Sequence, residues 1–291
     1  MPQKGILKEV TLPAKDFSDQ WDKIIVPEEI KTRLLCQALL ELTVREHISA
    51  VSVPLHGIIL LAGPPGTGKT SLARGLANRV ADSLKGPGLK FIEVEPHALA
   101  SANLGRSQQS VRDLLQKTIS EHAAMSPLIV LLDEIETLAP DRRRLSLEAN
   151  PFDVHRATDA VLAGIDQLAI SYPRLLFLAT TNFREAVDEA LLSRVDLVVW
   201  IDKPPREACA AILSDTLTAL AGRWPALKTL EQEIKNSSLP QECVGLDARQ
   251  IRKSVVAACT FSKECALNPG LLTLKDLLRA IRAMHREDKR Q

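Results

Sequence analysis

Ile58-Ile59-Leu60-Leu61-Ala62-Gly63-Pro64-Pro65-Gly66-Thr67-Gly68-Lys69-Thr70-Ser71-Leu72 is the stretch on which the fold turns. Its first five residues are apolar, a run of strand length closed by Gly63, and Leu72, Leu76 and Val80 then recur at helical spacing. Between the two lie Gly, four residues, then Gly-Lys-Thr, in the strand-loop-helix setting that this pattern requires. Glycines let successive backbone N–H groups turn onto a phosphate chain, and the N-terminus of the following helix adds a favourable dipole. The reading assigns Pro65, Gly66, Thr67, Gly68, Lys69, Thr70 and Ser71 to phosphate contact. Lys69 reaches the terminal phosphates, and Thr70 gives its hydroxyl to Mg²⁺.

Up to about residue 202 the chain alternates short apolar runs with helical patterns. Phe91 to Val94, Leu128 to Leu132, Leu175 to Ala179 and Leu197 to Trp200 are runs of strand length bounded by Gly, Pro or charged residues. Val111, Leu114, Leu115 and Ile119 mark one helical face, and Val161, Leu162, Ile165 and Leu168 another. Near-continuous apolar strands alternating with helices predict an α/β domain whose parallel sheet is covered on both faces. After Pro204-Pro205 the strand pattern stops. Ile251, Val255, Val256 and Cys259 form one stripe, and Leu274, Leu277, Leu278 and Ile281 form another behind a Thr273/Asp276 capping-box start. The expected organisation is a large nucleotide-binding domain over residues 1–203, with 1–20 as an N-terminal extension, followed by a small all-helical lid over 204–291 hinged at Lys203 to Pro205.

The run Ile129 to Leu132 ends in Asp133-Glu134, two carboxylates at the strand tip where an open α/β sheet binds its ligands. Asp133 is expected to hold Mg²⁺, directly or through water, and Glu134 to orient and deprotonate the water that attacks a γ-phosphate. The run Leu175 to Thr181 ends in Asn182, a neutral side chain suited to holding that water. Arg194 precedes the last strand, a position from which it reaches toward a neighbouring subunit and neutralises transition-state charge. Arg156, on the helix after the acidic strand, is the other candidate for that role. Arg249, in Gly245-Leu246-Asp247-Ala248-Arg249, begins a helix of the second domain and is expected to touch the γ-phosphate from the lid.

Composition narrows the classes of function. Lys plus Arg number 37 against 36 Asp plus Glu, so the net charge of +1 sets up no global field for nucleic acid or anionic lipid. Six Phe, three Trp and one Tyr are too few for an extended base-stacking surface. Arg142-Arg143-Arg144 is the feature a nucleic-acid machine would use, and it reads as a solvated loop or a contact between subunits. The longest apolar runs fall far short of the ~20 residues that span a bilayer. Met1 to Phe17 holds no apolar signal core, and the expectation is a cytoplasmic protein without membrane contact. The five cysteines are odd in number and contain no CxxC pair, so they read as buried thiols in a reducing compartment. His97 has no second ligand near it and reads as an ordinary polar contact.

Together these segments resemble the AAA+ ATPases and, within them, the pachytene-checkpoint (thyroid-receptor-interactor) family that remodels HORMA-domain proteins. The resemblance is carried by Leu12-Pro13-Ala14-Lys15-Asp16-Phe17 with Trp21-Asp22, the phosphate loop, and Asp133-Glu134-Ile135-Glu136-Thr137-Leu138. Ala160-Val161-Leu162 with Ile165-Asp166-Gln167, Thr180-Thr181-Asn182-Phe183 and Gly245 to Arg249 complete it, so that it covers nearly the whole chain. It implies a homohexameric ring that hydrolyses ATP with Mg²⁺, grips a mobile segment of a HORMA protein in its central pore, and converts a closed, partner-bound state to an open one. The ATPase segments begin within the first twenty residues, which resembles compact bacterial members found beside HORMA proteins and nucleotidyltransferases in antiphage systems, where the ATPase restrains signalling. The implied partners are a HORMA-domain protein and its bound nucleotidyltransferase. Relatives show an aromatic residue in the pore segment, whereas here Asn103 and Leu104 take that place. Two other functions fit the fold: a clamp-loader-like or initiator-like nucleic-acid ATPase, and a scaffold that binds ATP without turnover. The scaffold has no need of Lys69, Glu134, Asn182 and Arg249 together.

Overall fold

The computed structural model describes residues 5–48, 53–84, 88–95, 106–144 and 151–288. Six strands form one sheet: β1 (Ile6–Leu12), β2 (Ile58–Ala62), β3 (Leu89–Val94), β4 (Leu128–Leu132), β5 (Leu175–Thr181) and β6 (Leu197–Trp200). Their order across the sheet is β1-β3-β4-β5-β2-β6. The five strands expected from the apolar runs are mutually parallel. The sheet nevertheless is not wholly parallel, because β1, which the apolar pattern does not announce, pairs antiparallel with β3. The physical reason lies in its side chains. Leu7 points to solvent and is 59% exposed, while the neighbouring Lys8 turns inward over the ring of Phe17, 4.6 Å from its centroid. A shift in pairing between Ile6 and Lys8 accompanies this inversion, so the alternation that would mark a half-buried edge strand is scrambled in the sequence.

Every residue of β2, β4 and β5 is buried, which explains why those strands read as unbroken apolar runs. Ile58, Leu60, Val130, Leu132 and Phe177 face one way, against Val111, Leu114, Leu115 and Ile119 and against Val161, Leu162, Ile165 and Leu168 of a long helix (Pro151–Ser171). Ile59, Leu61, Ile129 and Leu131 face the other, against Leu72, Leu76 and Val80 of the helix Lys69–Leu84. Phe17 and Trp21 join this core: Phe17 meets Phe91 edge to face with centroids 5.0 Å apart, and Trp21 is buried. Trp21 packs so closely on Gly75 that a Cβ at that position would lie 2.5 Å from the Trp21 backbone nitrogen.

The chain separates into two compact units, Met1–Gly63 with Lys69–Ile201, and Asp202–Gln291 with the loop segment Pro64–Gly68. The second unit is helical, with α-helices at Arg206–Ala221, Leu227–Lys235, Ala248–Ala258 and Leu274–Asp288 among its elements. The Thr273/Asp276 capping box is present in both directions: the Thr273 N–H donates to Asp276 Oδ2 at 3.2 Å and the Asp276 N–H to Thr273 Oγ1 at 3.3 Å. Ile251, Val255 and Cys259 are buried as their spacing implies, but Val256 is 59% exposed, because the buried stripe of that helix is narrower than the apolar one. Cys209, Cys243, Cys259 and Cys265 are buried thiols, whereas Cys36 is exposed. Burial pushes the Cys209 and Cys259 thiols up to about 11 and Cys243 to about 12, which keeps all three protonated and unreactive at neutral pH. No helix among the described residues is long and apolar enough to cross a membrane.

Candidate active site

Because β2, β4 and β5 are parallel, their C-terminal ends emerge along one edge of the sheet, and Lys69, Thr70, Asp133, Glu134 and Asn182 all follow from those ends. Lys69 begins its helix buried, with Nζ donating to the Gly63 carbonyl oxygen at 2.8 Å. Thr70 Oγ1 donates to Asp133 Oδ1 at 2.8 Å. An alcohol and a carboxylate in contact form a set of hard oxygen donors of the kind that suits Mg²⁺, and a buried ammonium beside them suits a phosphate. Ser71, next on the helix, is half-buried.

The register of β4 against β5 pairs Leu132 with Ala179, so the residues just beyond, Asp133 and Glu134 on one strand and Thr180 to Asn182 on the other, stand side by side. Thr180 Oγ1 donates to Asp133 Oδ1 and accepts the backbone N–H of Glu134 at 3.0 Å. One hydroxyl therefore ties both acids. Asn182 Nδ2 donates to Glu134 Oε1 at 3.2 Å, and the Asn182 backbone N–H donates to Glu136 Oε1 at 3.1 Å. Glu134 is the non-glycine residue with a left-handed backbone among the described residues, at φ 51°. That conformation costs a non-glycine residue about 1–2 kcal/mol. The Thr180 contact holds its backbone there and the Asn182 contact fixes its carboxylate. Thr180 and Glu136 are the members of this relay that sequence reasoning missed. Both lie inside segments that carried the family resemblance, but Thr180 lacks the charge, and Glu136 the strand-tip position, that together mark Asp133 and Glu134.

The arginines are held in different ways. Arg194 grips Asp166 through Nε at 2.6 Å and Nη2 at 2.8 Å, and Nη1 donates to the Ala190 carbonyl at 2.6 Å. The bidentate bond from Arg194 holds the Asp166 carboxyl below its usual range. Arg156 is exposed on the helix Pro151–Ser171. Arg142 pairs with Asp188 at 2.8 Å and Asp159 at 3.0 Å, and Arg143 with Asp141 at 3.1 Å and Glu189 at 3.2 Å. These two members of the basic triplet thus face acids of the same chain, which leaves little basic field for a nucleic-acid backbone. In the second unit Arg249 is exposed on the first turn of its helix and makes no ion pair among the described residues. The loop segment of that unit has Pro65 exposed, Thr67 buried with Oγ1 donating to the Pro64 carbonyl at 3.0 Å, and positive φ at Gly66 and Gly68. Asn103, Leu104 and His97 lie outside the described residues.

Residues 59–203 match the model of the ATPase family associated with various cellular activities (AAA). The CD-NTase-associated protein 6 of Pseudomonas aeruginosa is 51% identical over 279 residues, covering 96% of this chain and 92% of that protein. The pachytene checkpoint protein 2 homolog of Danio rerio is 29% identical over 296 residues, covering 93% of this chain and 68% of that one. Among solved structures, the E. coli MS115-1 HORMA:CdnC:Trip13 complex contains a chain that superposes with a TM-score of 0.73 at 18% identity, over 97% of this chain and 96% of that chain. At that identity the likeness is one of fold.

Proposed function

This chain belongs to the ATPase family associated with various cellular activities, in the group of CD-NTase-associated protein 6 and the pachytene checkpoint 2 proteins, and from that premise we propose that it is the ATP-driven remodeller of a HORMA-domain protein. In this reading it works as a homohexamer, opens a closed HORMA protein so that its bound nucleotidyltransferase is released, and so restrains an antiphage signalling system in the cytoplasm. A large domain over residues 1–203 carries the chemistry and a lid over 204–291 follows the nucleotide. Leu104 and Asn103 grip the substrate in the pore.

One observation carries the catalytic half of this reading: the hydrogen-bonded relay from Thr70 through Asp133 and Thr180 to Glu134 and Asn182. Lys69 and the loop amides hold the phosphates, and Thr70 and Asp133 would hold Mg²⁺, which would neutralise charge on the phosphoryl oxygens. Glu134, aimed by Asn182, takes the proton of the attacking water as its oxygen bonds to the γ-phosphorus and the bond to the bridging oxygen breaks, leaving ADP. Arg194 answers the charge that develops at a neighbour's site, and Arg249 registers the loss of the γ-phosphate. The choice of substrate rests on the 51% identity to a protein named for its association with a CD-NTase.

ATPase assays with a HORMA-domain protein, with DNA and with RNA test the reading together. The HORMA protein should stimulate turnover and pass from its closed to its open form in an ATP-dependent way. Stimulation by nucleic acid with none by the HORMA protein would overturn it.

A further inference from the structure

Within the second unit, the carboxylate of Asp247 lies against the phosphate-loop residue Gly66. A Cβ built on Gly66, whose φ is +78°, would lie 2.3 Å from Asp247 Cγ and 2.4 and 2.6 Å from its two oxygens. Nothing larger than glycine fits between the loop backbone and that charge. The carboxylate is also fixed from behind. Asp247 is the N-cap of the helix Ala248–Ala258; its Oδ1 accepts the Gln250 N–H at 2.8 Å, and Gln250 Oε1 accepts the Asp247 N–H at 2.8 Å. Gln250 is in turn held by Asp288, to which its Nε2 donates at 2.8 Å, and Asp288 pairs with Lys203 at 3.5 Å. Asp247 therefore cannot swing off the loop without breaking the capping box.

The cap explains an oxygen acceptor at this position and does not explain a charge. Ser and Asn cap a helix about as well as Asp. Asp247 makes no ion pair among the described residues; its charge is met by the helix N-terminus that it caps, and it faces a loop read as receiving a polyanion. We propose that Asp247 sets the nucleotide affinity of the loop by electrostatic repulsion, lowering the affinity for ADP and so speeding its loss after hydrolysis. The proposal rests on the reading of Gly63 to Thr70 as the nucleotide loop. It assigns Asp247 a role in affinity, distinct from the proton-transfer and metal-holding roles of the acids that follow β4.

Asp247→Asn and Asp247→Ser keep the cap and remove the charge, so each separates the two functions. The measurement is the affinity for ADP carrying a fluorescent N-methylanthraniloyl group, at low and at high salt, with thermal unfolding as the check on the cap. Both variants should bind this ADP about fivefold more tightly than the parent at low salt, with the gain shrinking at high salt. Their unfolding midpoints should match the parent's, while Asp247→Ala should unfold earlier. Parental affinity at low salt in both variants, or a gain indifferent to salt, overturns the proposal. Lys69→Ala, measured alongside, separates this failure from that of the loop reading: loss of ADP binding in Lys69→Ala keeps the loop, and retained binding removes the loop reading and this proposal with it.

Discussion

Arg194 and Arg249 carry the same charge and the same expectation of meeting a phosphate, yet the structure holds them in opposite ways. Arg194 is gripped on three sides, by both oxygens of Asp166 and by the Ala190 carbonyl. Two residues on, Asp196 accepts the backbone N–H groups of His56 at 3.1 Å and Ile58 at 2.8 Å, which anchors this corner to the start of β2. Arg249 is exposed and has no ion pair among the described residues. The contrast is between a guanidinium whose rotamers are already fixed by folding and one that becomes ordered only when it meets a ligand. The first acts with little further entropy loss but must exchange one anion for another. The second responds freely to the presence or absence of its anion, which suits a sensor.

The largest expected effect tests the gripped arginine. Arg194→Ala should lower ATP turnover by ~10³ or more, since a finger supplied in trans contributes that much in related phosphoryl-transfer enzymes. Mixed with Lys69→Ala protein, which is inactive for a different reason, it should regain activity at interfaces where an intact loop meets an intact arginine. Co-assembled mixed rings that recover nothing, while Arg156→Ala recovers in the same assay, would move the role to Arg156 and dissolve the contrast.

Next in size is Glu134→Gln, which keeps the shape and the Asn182 contact but removes the base. Phosphate release should fall by about 10²–10³ while ATP binding persists. Turnover at the parental rate would mean that the relay positions something other than a proton acceptor. The exposed arginine should matter less: Arg249→Ala should bind ATP and turn over about tenfold more slowly, consistent with loss of one charge-assisted contact. A drop as deep as that of Arg194→Ala would show that the two arginines do not differ in kind.

The smallest effect probes what lies under the gripped corner. Burial, reinforced by the Asp196 charge, pushes the Glu41 carboxyl from 4.5 up to about 7, although Arg45 stands 3.9 Å away. A carboxyl raised in the folded state contributes its full stability below its unfolded value and loses that contribution as pH rises through its folded value. The parent should therefore lose stability between pH 4.5 and about 7 from this group, and Glu41→Gln should show a flatter profile of thermal midpoint over the same window. An unchanged slope would mean that Arg45 already holds Glu41 ionised at low pH.

Much of this was legible before any coordinates. The run Ile58 to Ala62, the glycines that follow it and the helical spacing of Leu72, Leu76 and Val80 are local features, and local sterics and burial act on them within a few residues. The same holds for the strand tips that carry Asp133 and Asn182 and for the Thr273/Asp276 cap. Strand β1 was not legible because an exposed Leu7 and an inward Lys8 reverse the usual signal, and Val256 misled because an apolar side chain on a helix of the second unit is free to face water.

What the sequence determined by itself is therefore the set of elements and the identity of the charged groups at their ends, since both follow from periodicity and residue chemistry. Only the tertiary structure decided which of those groups meet. Thr180 reaches Asp133 across 47 residues of chain and Arg194 reaches Asp166 across 28, each through strand register or helix packing. The carboxylate of Asp247 comes to rest on Gly66 in the same way. No pattern along the chain encodes such pairings, because they depend on how whole elements are stacked and not on the propensity of any residue within them.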